Sequence, residues 1–510
     1  MKSRSKLLPV VVFCAMVLSA CTGSGGAETP SSKGLSATPS TLKIALNVAP
    51  TGFDPLNNFE SPVDQIVKLY GGQLMSLKPN GESGVNQLAE SLTESTDRMS
   101  WTAKLRAGLK FSDGTALTPN DVVASFNYAL KNSGPSGKFV LYDTLSSVVA
   151  NGDTAIVFNL KKPTTLIPYL LADTASTIWP ASSLSQGASF FSSPISAGQY
   201  TIDAFDKVSG RVSLSVNPHY WGTKPKIKRI VYTVVPDDGT RLAQAKSGAV
   251  DIAEYLDPNL QSQITGSVHP LTTSPFGMTY WFIFSDDSPI TGNKQVRQAI
   301  NLAIDRKQLI QVAFSGLGEP RDGIAWTQSQ YLKSEPRVTP DVAKAKQLLA
   351  GTPCENGCTI KVIQQPQVPY SKMGIVLRQQ LKAIGINMKV TTTTIAQEVT
   401  QIKKPIWDVY NSLAFLGNPA PITVGLMEVD PTADIFSSYA FPYRSEKMHS
   451  LVQQLVTAPE PQVEGIIEKI NVLFAQDLPY ISLLSSPFLY ASRLADSVVS
   501  VGLGGYLDIA

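Results

Sequence analysis

The chain has 510 residues, of which 43% are apolar and only 16% are charged. Its 43 basic and 40 acidic side chains give a formal net charge of +3, without a long run of one sign. This balance argues against a basic nucleic-acid-binding surface, and no nucleic-acid partner is expected. The length and apolar content predict two to four packed domains.

The amino terminus has the features of an export signal. Residues 1–6 include three basic side chains and no acid, and residues 7–18 are an apolar stretch too short to span a bilayer. Leu18-Ser-Ala-Cys21 resembles a lipobox, so we expect a signal peptide over residues 1–20 and a lipid on Cys21. The alternatives are an ordinary signal peptide with an incidental cysteine, or a buried apolar segment.

Residues 21–40 are rich in Gly, Ser, Thr and Pro, which predicts a disordered tether. No later stretch is long and apolar enough to cross a membrane. We therefore expect a monomer that is lipid-anchored at the outer face of the cytoplasmic membrane, or that resides in the periplasm if the cell has an outer membrane.

The first folded elements combine strands with a capped helix. Residues 42–48 and 101–106 have strand patterns, and residues 109–111 predict a short additional strand before a Ser-Asp-Gly turn. Residues 118–130 predict a helix, because Thr118 can cap it and Pro119 suits its first position.

The later elements alternate in a way that predicts a parallel sheet. Residues 359–363 and 386–392 read as strands separated by a helix over 370–384. Upstream, two helices are expected to meet at Asp305. Arg297 and Arg306 are expected to bridge carboxylates at that joint, in a structural role rather than as ligand contacts.

Several sequence motifs together resemble one protein family. Residues 88–122 contain Leu-Ala-Glu-Ser, then Trp-x₃-Leu-Arg-x-Gly-x₂-Phe-x-Asp-Gly-x₂-Leu-Thr-x₂-Asp-Val. Residues 217–221 read Asn-Pro-His-Tyr-Trp, and residues 296–306 begin Val-Arg-Gln-Ala-Ile and end Ile-Asp-Arg. These words resemble the family 5 extracellular solute-binding proteins, the peptide and nickel receptors of ABC importers.

The resemblance implies an α/β fold of the periplasmic-binding-protein type (type II, cluster C), with two main lobes, an inserted domain and a hinge-closed cleft. The domain boundaries that it implies are lobe I over 41–78, 196–279 and 485–510, an inserted domain II over 79–195, and lobe III over 280–484.

The resemblance also implies a function without chemistry. The protein would capture a solute, by default a di- or oligopeptide, and deliver it to an ABC permease and its ATPase. It would use no cofactor. A non-peptide solute is the alternative: an oligosaccharide, a metal chelate, haem or an opine-like compound.

The predicted ligand contacts lie in the third lobe. In peptide-binding members an aspartate holds the ligand's ammonium group. The segment from Asp408 to Asn418 resembles that region, with Phe415 near the place of a tryptophan and Asn418 near that of the aspartate. A neutral amide cannot form the ion pair, so Asp430 is a possible substitute. Tyr280, Trp281, Trp407 and Phe415 are candidate pocket walls, with burial in the core as the alternative for each.

Apart from Cys14 in the signal peptide and Cys21 at the expected lipid site, two cysteines remain. Cys354 and Cys358 flank an Asn-Gly turn, and outside the cell a disulfide between them is favoured over a C-x₃-C metal pair. No metal site is expected, because no His-Glu-x-x-His motif occurs and the three histidines are scattered.

A secreted hydrolase is the distant alternative from another functional class. The sequence has no Gly-x-Ser-x-Gly nucleophile motif, and no residue pattern favours a catalytic site. Carboxylate pairs of the glycosidase type cannot be read from spacing, because tertiary structure sets their separation. The expectation is therefore that the protein is not an enzyme.

Overall fold

Three sheets organise the fold of this computed structural model. It describes residues 38–56, 61–78, 83–132, 144–272, 277–324, 337–366, 368–393, 397, 401, 406–415, 443–502 and 505–509. Cys21, Asn418 and Asp430 lie outside the described residues, as do the predicted signal peptide and most of the tether. Within these ranges, no helix combines the length and apolar character that a membrane span requires.

The strands have the following bounds: β1 Thr41–Leu46, β2 Met75–Leu77, β3 Ser83–Asn86, β4 Ala89–Glu94, β5 Ser100–Leu105, β6 Leu145–Asn151, β7 Ala155–Leu160, β8 Tyr200–Asp206, β9 Arg211–Val216, β10 Arg229–Val234, β11 Ile252–Ala253, β12 His269–Thr272, β13 Met278–Phe284, β14 Glu319–Pro320, β15 Cys358–Gln364, β16 Ile386–Thr392, β17 Val409–Phe415, β18 Tyr480–Ser486, β19 Leu489–Ser492, β20 Val499–Val501 and β21 Leu507–Ile509.

The α-helices have the following bounds: α1 Ser61–Tyr70, α2 Pro119–Asn132, α3 Ile167–Leu170, α4 Asp238–Ser247, α5 Lys294–Ala303, α6 Arg306–Ala313, α7 Val342–Leu348, α8 Tyr370–Lys382, α9 Glu446–Thr457 and α10 Glu460–Asp477. Short 3-10 helices cover Thr174–Ser176, Leu184–Ser192 and Pro258–Gln263.

The first sheet has seven strands in the order β12-β19-β11-β1-β10-β9-β8. Its centre is parallel, because β1 pairs in parallel with both β10 and β11. Side chains alternate between two faces of a strand, so Ile44 of β1 packs in a cluster with α1, while Ala45 packs in another cluster with α4. The central strands are therefore covered by a helix on each face.

The second sheet has six strands in the order β14-β18-β13-β17-β15-β16. The predicted parallel pairing is confirmed, since β15 lies parallel to both β16 and β17. Helices α5 to α8 contribute to the buried cluster on one face of this sheet. A disulfide joins Cys354 to Cys358, the first residue of β15, with the Cα atoms 4.8 Å apart.

The third sheet is antiparallel, with four strands in the order β4-β5-β7-β6, and α2 packs against it. Helix α2 begins at Pro119, the predicted first position, and the Asp121 carboxylate accepts hydrogen bonds from the backbone N–H and hydroxyl of Thr118, 2.8 and 2.7 Å away. The short strand predicted over residues 109–111 is wrong. There the Asp113-Gly114 turn closes so tightly that only a bridge between Lys110 and Ala116 forms.

Two of the sequence motifs that carry the resemblance contact each other in the structure. The Arg106 guanidinium lies over the ring of Trp221, 4.3 Å from its centroid, and its Nε donates to the backbone carbonyl of Gln87 at 2.5 Å. Arg106 belongs to the signature stretch and Trp221 to the Asn-Pro-His-Tyr-Trp stretch. A cation–π contact therefore joins the third sheet to the segment that follows β9.

Replacing Arg106 with Met should lower the free energy of unfolding by about 1–2 kcal/mol, because the cation–π contact and a backbone hydrogen bond are both lost. Denaturant titration of the two proteins measures the difference. Lys110→Met is the matched control, since Lys110 is exposed in the same stretch. Equal losses in the two variants would contradict this role for Arg106.

Candidate functional site

Among the strands that the structure describes, the chain passes twice between the seven-stranded and six-stranded sheets. One passage runs from β12 to β13, and the other runs from β18 to β19 through Pro487 and Phe488 alone. The carboxyl ends of β1, β10 and β11 lie at one edge of the first sheet, which we call the first edge. Strand β12 ends and strand β19 begins at this edge. The carboxyl ends of β15, β16 and β17 lie at one edge of the second sheet, which we call the second edge. Strand β13 begins and strand β18 ends at this edge.

These two edges are therefore adjacent. In open α/β sheets, ligands bind in the crevice outside the carboxyl ends of the strands. The candidate site is the space bounded by both edges. Side-chain contacts also cross it beside the passages: Asn259 donates to the carbonyl of Ala313 at 3.2 Å and accepts from the hydroxyl of Ser315 at 2.7 Å.

Gly277, at the end of the first passage, packs closely against the second passage. Gly277 precedes β13, and its backbone N–H donates to the Ser486 carbonyl at 3.2 Å. A Cβ atom on Gly277 would lie 2.4 Å from the Phe488 ring, so only glycine fits there. The Phe488 ring in turn packs edge-on against Tyr255, with centroids 5.2 Å apart.

At the first edge, the buried guanidinium of Arg241 ties two loops together. It donates to the carbonyls of Val235 and Pro236, which follow β10, and to those of Glu254 and Tyr255, which follow β11, at 2.7 to 3.0 Å. The carboxylate of Asp238 pairs with it. Tyr255 lies in the left-handed region with φ of 50°, a conformation that costs energy for a tyrosine. Arg241 thus determines the shape of this edge.

Glu254 is fully buried beside this edge, under α1. Its Oε1 accepts a 2.6 Å hydrogen bond from Gln65, whose amide also lies 3.3 Å from the Tyr232 hydroxyl. Its Oε2 has no hydrogen-bond partner among the described residues. Burial raises the pKa of Glu254 to about 8, against the opposing effects of the Gln65 hydrogen bond and the Arg241 charge. Glu254 therefore holds a proton at neutral pH.

At the second edge, three uncharged polar side chains lie on neighbouring strands: Gln364 ends β15, Thr393 follows β16, and Asn411 pairs with Gln364 from within β17. Asn411 of β17 donates to Gln364 of β15 at 3.2 Å, and the backbone N–H of Thr393, just after β16, donates to the Gln364 carbonyl at 3.0 Å. All three are buried, and the Asn411 Oδ1 and Thr393 Oγ1 atoms have no hydrogen-bond partner in the described part of the chain. Both oxygens are hydrogen-bond acceptors, and the Gln364 amide also donates to the carbonyl of Tyr370 in α8 at 3.4 Å.

Three of the four aromatic residues predicted as pocket walls are packed in the protein core. Tyr280 is 1% exposed and packs edge-on against Phe314 and Tyr370 in the core. Trp281, on the opposite face of β13, stacks on Tyr480 with centroids 5.2 Å apart.

Trp407 precedes β17, so it lies at the amino end of that strand, away from the candidate site. These placements favour the core role for the three rings. For Phe415, the structure describes only the backbone, which pairs with Met278.

The pairing with carboxylates that was predicted for two arginines is confirmed. Arg297 pairs with Asp286 at 2.9 Å, and buried Arg306 pairs with Asp322 at 3.1 Å. Sequence reasoning missed Arg241, Glu254, Gln364, Thr393 and Asn411. The available signal was position, since Gln364 ends a strand and Glu254 and Thr393 directly follow one.

Comparison with known proteins decides the family. Residues 84–429, well over half of the chain, match the family described as bacterial extracellular solute-binding proteins, family 5 Middle. The chain belongs to this family. It is a solute-binding receptor of the ABC-importer type, and the family and its matched relatives are binding proteins rather than enzymes.

This family 5 receptor is 26% identical to the oligopeptide-binding protein AppA of Bacillus subtilis (strain 168) over 444 residues, which span 80% of this chain and 79% of AppA. NikA from Brucella suis in complex with Fe(III)-EDTA has a TM-score of 0.81 at 19% identity, over 92% of this chain and 100% of NikA. AgaA from A. tumefaciens R10 in complex with agropinic acid has a TM-score of 0.78 at 22% identity, over 92% and 99%. The predicted two-lobed binding-protein fold is confirmed.

The buried Glu254 predicts a specific dependence of stability on pH. Because its pKa is raised to about 8 from an unfolded value near 4.5, its stabilising contribution is complete below pH 4.5 and is lost as the pH rises through about 8. The loss should reach a few kcal/mol, at about 1.4 kcal/mol per pKa unit. Denaturant titration between pH 5 and 9 measures it.

Glu254→Gln keeps the shape of the side chain but does not titrate. Its unfolding free energy should therefore vary less over this pH range than that of the wild type. Parallel pH profiles for the two proteins would show that Glu254 does not titrate there.

Proposed function

We propose that this receptor captures short peptides between the two carboxyl edges and delivers them to an ABC permease, while a lipid on Cys21 holds it at the membrane. The observation that supports the site most directly is the adjacency of the two edges at the short passages. A peptide offers rows of N–H and C=O groups, and main-chain hydrogen bonds are a general mode of peptide recognition. The relative aligned over most of its length, AppA, is named as oligopeptide-binding.

The polar groups at the second edge are consistent with a peptide backbone as ligand. Asn411 and Thr393 provide buried acceptor oxygens that lack partners among the described residues. Leaving such atoms without a partner costs free energy, so a ligand that donates N–H groups to them would gain affinity. Hinge closure around the peptide would exclude water from these contacts.

An opine-like or other non-peptide solute is the second candidate. It is favoured by Asn418, which stands where the resemblance places an ammonium-binding aspartate. AgaA, whose structure contains agropinic acid, is a neighbour in fold. A peptide would instead require another acid for its ammonium group, and Asp430 is the proposed one.

Native mass spectrometry of the chain from residue 40, purified without refolding, should show a ladder of adducts with the masses of short peptides. Receptors that close around their solute retain it through purification, because opening must precede release. The same protein after denaturation, dialysis and refolding is the control, and it should show the bare mass. A single adduct of non-peptide mass in the native sample would contradict the peptide proposal and identify the solute class.

The lipid anchor predicts an acyl group on one residue. Cys21→Ser removes the thiol that would be acylated, so the expressed protein should no longer incorporate radiolabelled palmitate. Cys14→Ser, within the apolar stretch, is the matched control and should be labelled like the wild type. Equal labelling of the Cys21→Ser protein and the wild type would disprove lipidation of this residue.

A further inference from the structure

A contact far along the chain joins the third sheet to the paired helices α9 and α10. The guanidinium of Arg98, in the turn between β4 and β5, donates from Nη1 and Nη2 to the carbonyls of Thr457 and Ala458, both at 3.3 Å. Those carbonyls end helix α9, where the backbone groups lack partners within the helix and bear partial negative charge. The contact thus combines charge with directional hydrogen bonds.

A second cation reaches the same end of the same helix. Lys162, just after β7, donates from Nζ to the side-chain carbonyl of Gln453 at 2.7 Å. Gln453 lies four residues before Thr457, so both acceptors are on one face of α9. We call Arg98, Lys162 and their acceptors on α9 the clasp.

The turn that presents Arg98 is held in an unfavourable backbone conformation. Arg98 has φ of 60°, a region that glycine or asparagine adopts more readily. Its backbone N–H donates to the Ser95 carbonyl at 2.9 Å, and its Nε pairs with Glu94 at 3.1 Å. The hydrogen bond from Ser95 also lowers the pKa of Asp97, which stays ionised and accepts from the N–H of Met99 at 3.0 Å. The guanidinium is therefore oriented before it meets α9.

The clasp connects parts of the chain that belong to opposite sides of the candidate site. Helix α10 leads directly into β18 of the six-stranded sheet, and Phe474 packs on Tyr480 of that strand with centroids 4.6 Å apart. The third sheet is inserted between β1 and β8 of the seven-stranded sheet. Any opening about the two passages that separates the third sheet from α9 must break the hydrogen bonds of Arg98 and Lys162.

We propose that the clasp stabilises the closed form of this receptor and thereby raises its affinity for solute. A protein whose binding-competent form is only partly populated binds more weakly by that fraction. Contacts outside the ligand site that favour closure therefore increase apparent affinity without touching the solute. The proposal rests on the family's role in solute binding and not on peptides being the solute.

The experiment measures closure without any ligand, so its outcome is independent of the test of the proposed function. Spin labels on cysteines that replace Val149 of β6 and Val472 of α10, both exposed, report the distance between the two sides in the chain from residue 35. The protein is denatured, dialysed and refolded beforehand to remove bound solute. Pulsed electron resonance then gives the distance distribution.

The double variant Arg98→Ala/Lys162→Ala should shift the distribution to longer distances, with the ratio of short to long distances falling about tenfold. Lys104→Ala is the matched control: Lys104 lies on β5 and pairs with Glu90 on the surface of the same sheet. Its distribution should match that of the wild type. Gln453→Leu removes one acceptor from the helix side and should give a smaller shift in the same direction, even if the double variant folds poorly.

An unchanged distribution in the folded double variant, or in Gln453→Leu when the double variant does not fold, overturns the clasp. An equal shift in Lys104→Ala overturns it as well, since general loss of charge on the third sheet would then be the cause.

Discussion

The backbone carbonyls that follow the parallel strands of the first sheet depend on one buried cation. Without it, the carbonyls of residues 235, 236, 254 and 255 would lose a shared donor, and the loss would cost most at Glu254, which is fully buried. Arg241 satisfies all four from a single planar group, which no lysine could do with the same geometry. The left-handed Tyr255 and the protonated Glu254 both border this arrangement.

That constraint also explains why the edge can border a binding crevice. Ordering loops on binding costs free energy, so an edge that is already rigid can contact a ligand without that cost. Arg241 holds the loops of the first edge in place through its hydrogen bonds. The Tyr255 ring connects this edge to Phe488 in the passage between the sheets. The position of the passage and the shape of the first edge are therefore physically coupled through these rings.

Much of the local structure follows from the sequence because short-range chemistry decides it. Two helices meet at Asp305 as expected, and its carboxylate caps α6 by accepting from the N–H of Gln308 at 3.0 Å; Gly248 ends α4 with φ of 81°. The parallel order of β15 and β16 also follows from the strand–helix–strand pattern. The isolated bridge at Lys110 shows where prediction from local sequence fails, because the turn closes before a second strand can form.

The site residues were less predictable because burial depends on which elements pack together. Tyr280 and Trp281 are neighbours in an aromatic stretch, yet they occupy separate cores on opposite faces of β13. A strand pattern indicates alternation, but it does not say which face is covered or by what.

The sequence by itself determined the family, the fold class and the caps and turns, since these depend on motifs and local propensity. Only the tertiary structure decided that Arg241 holds the loops of the first edge together and that Glu254 loses its charge. It also decided that Arg98 contacts the end of α9, about 360 residues away in the sequence. Those features arise from contacts between distant segments, and no local pattern encodes the distance between them.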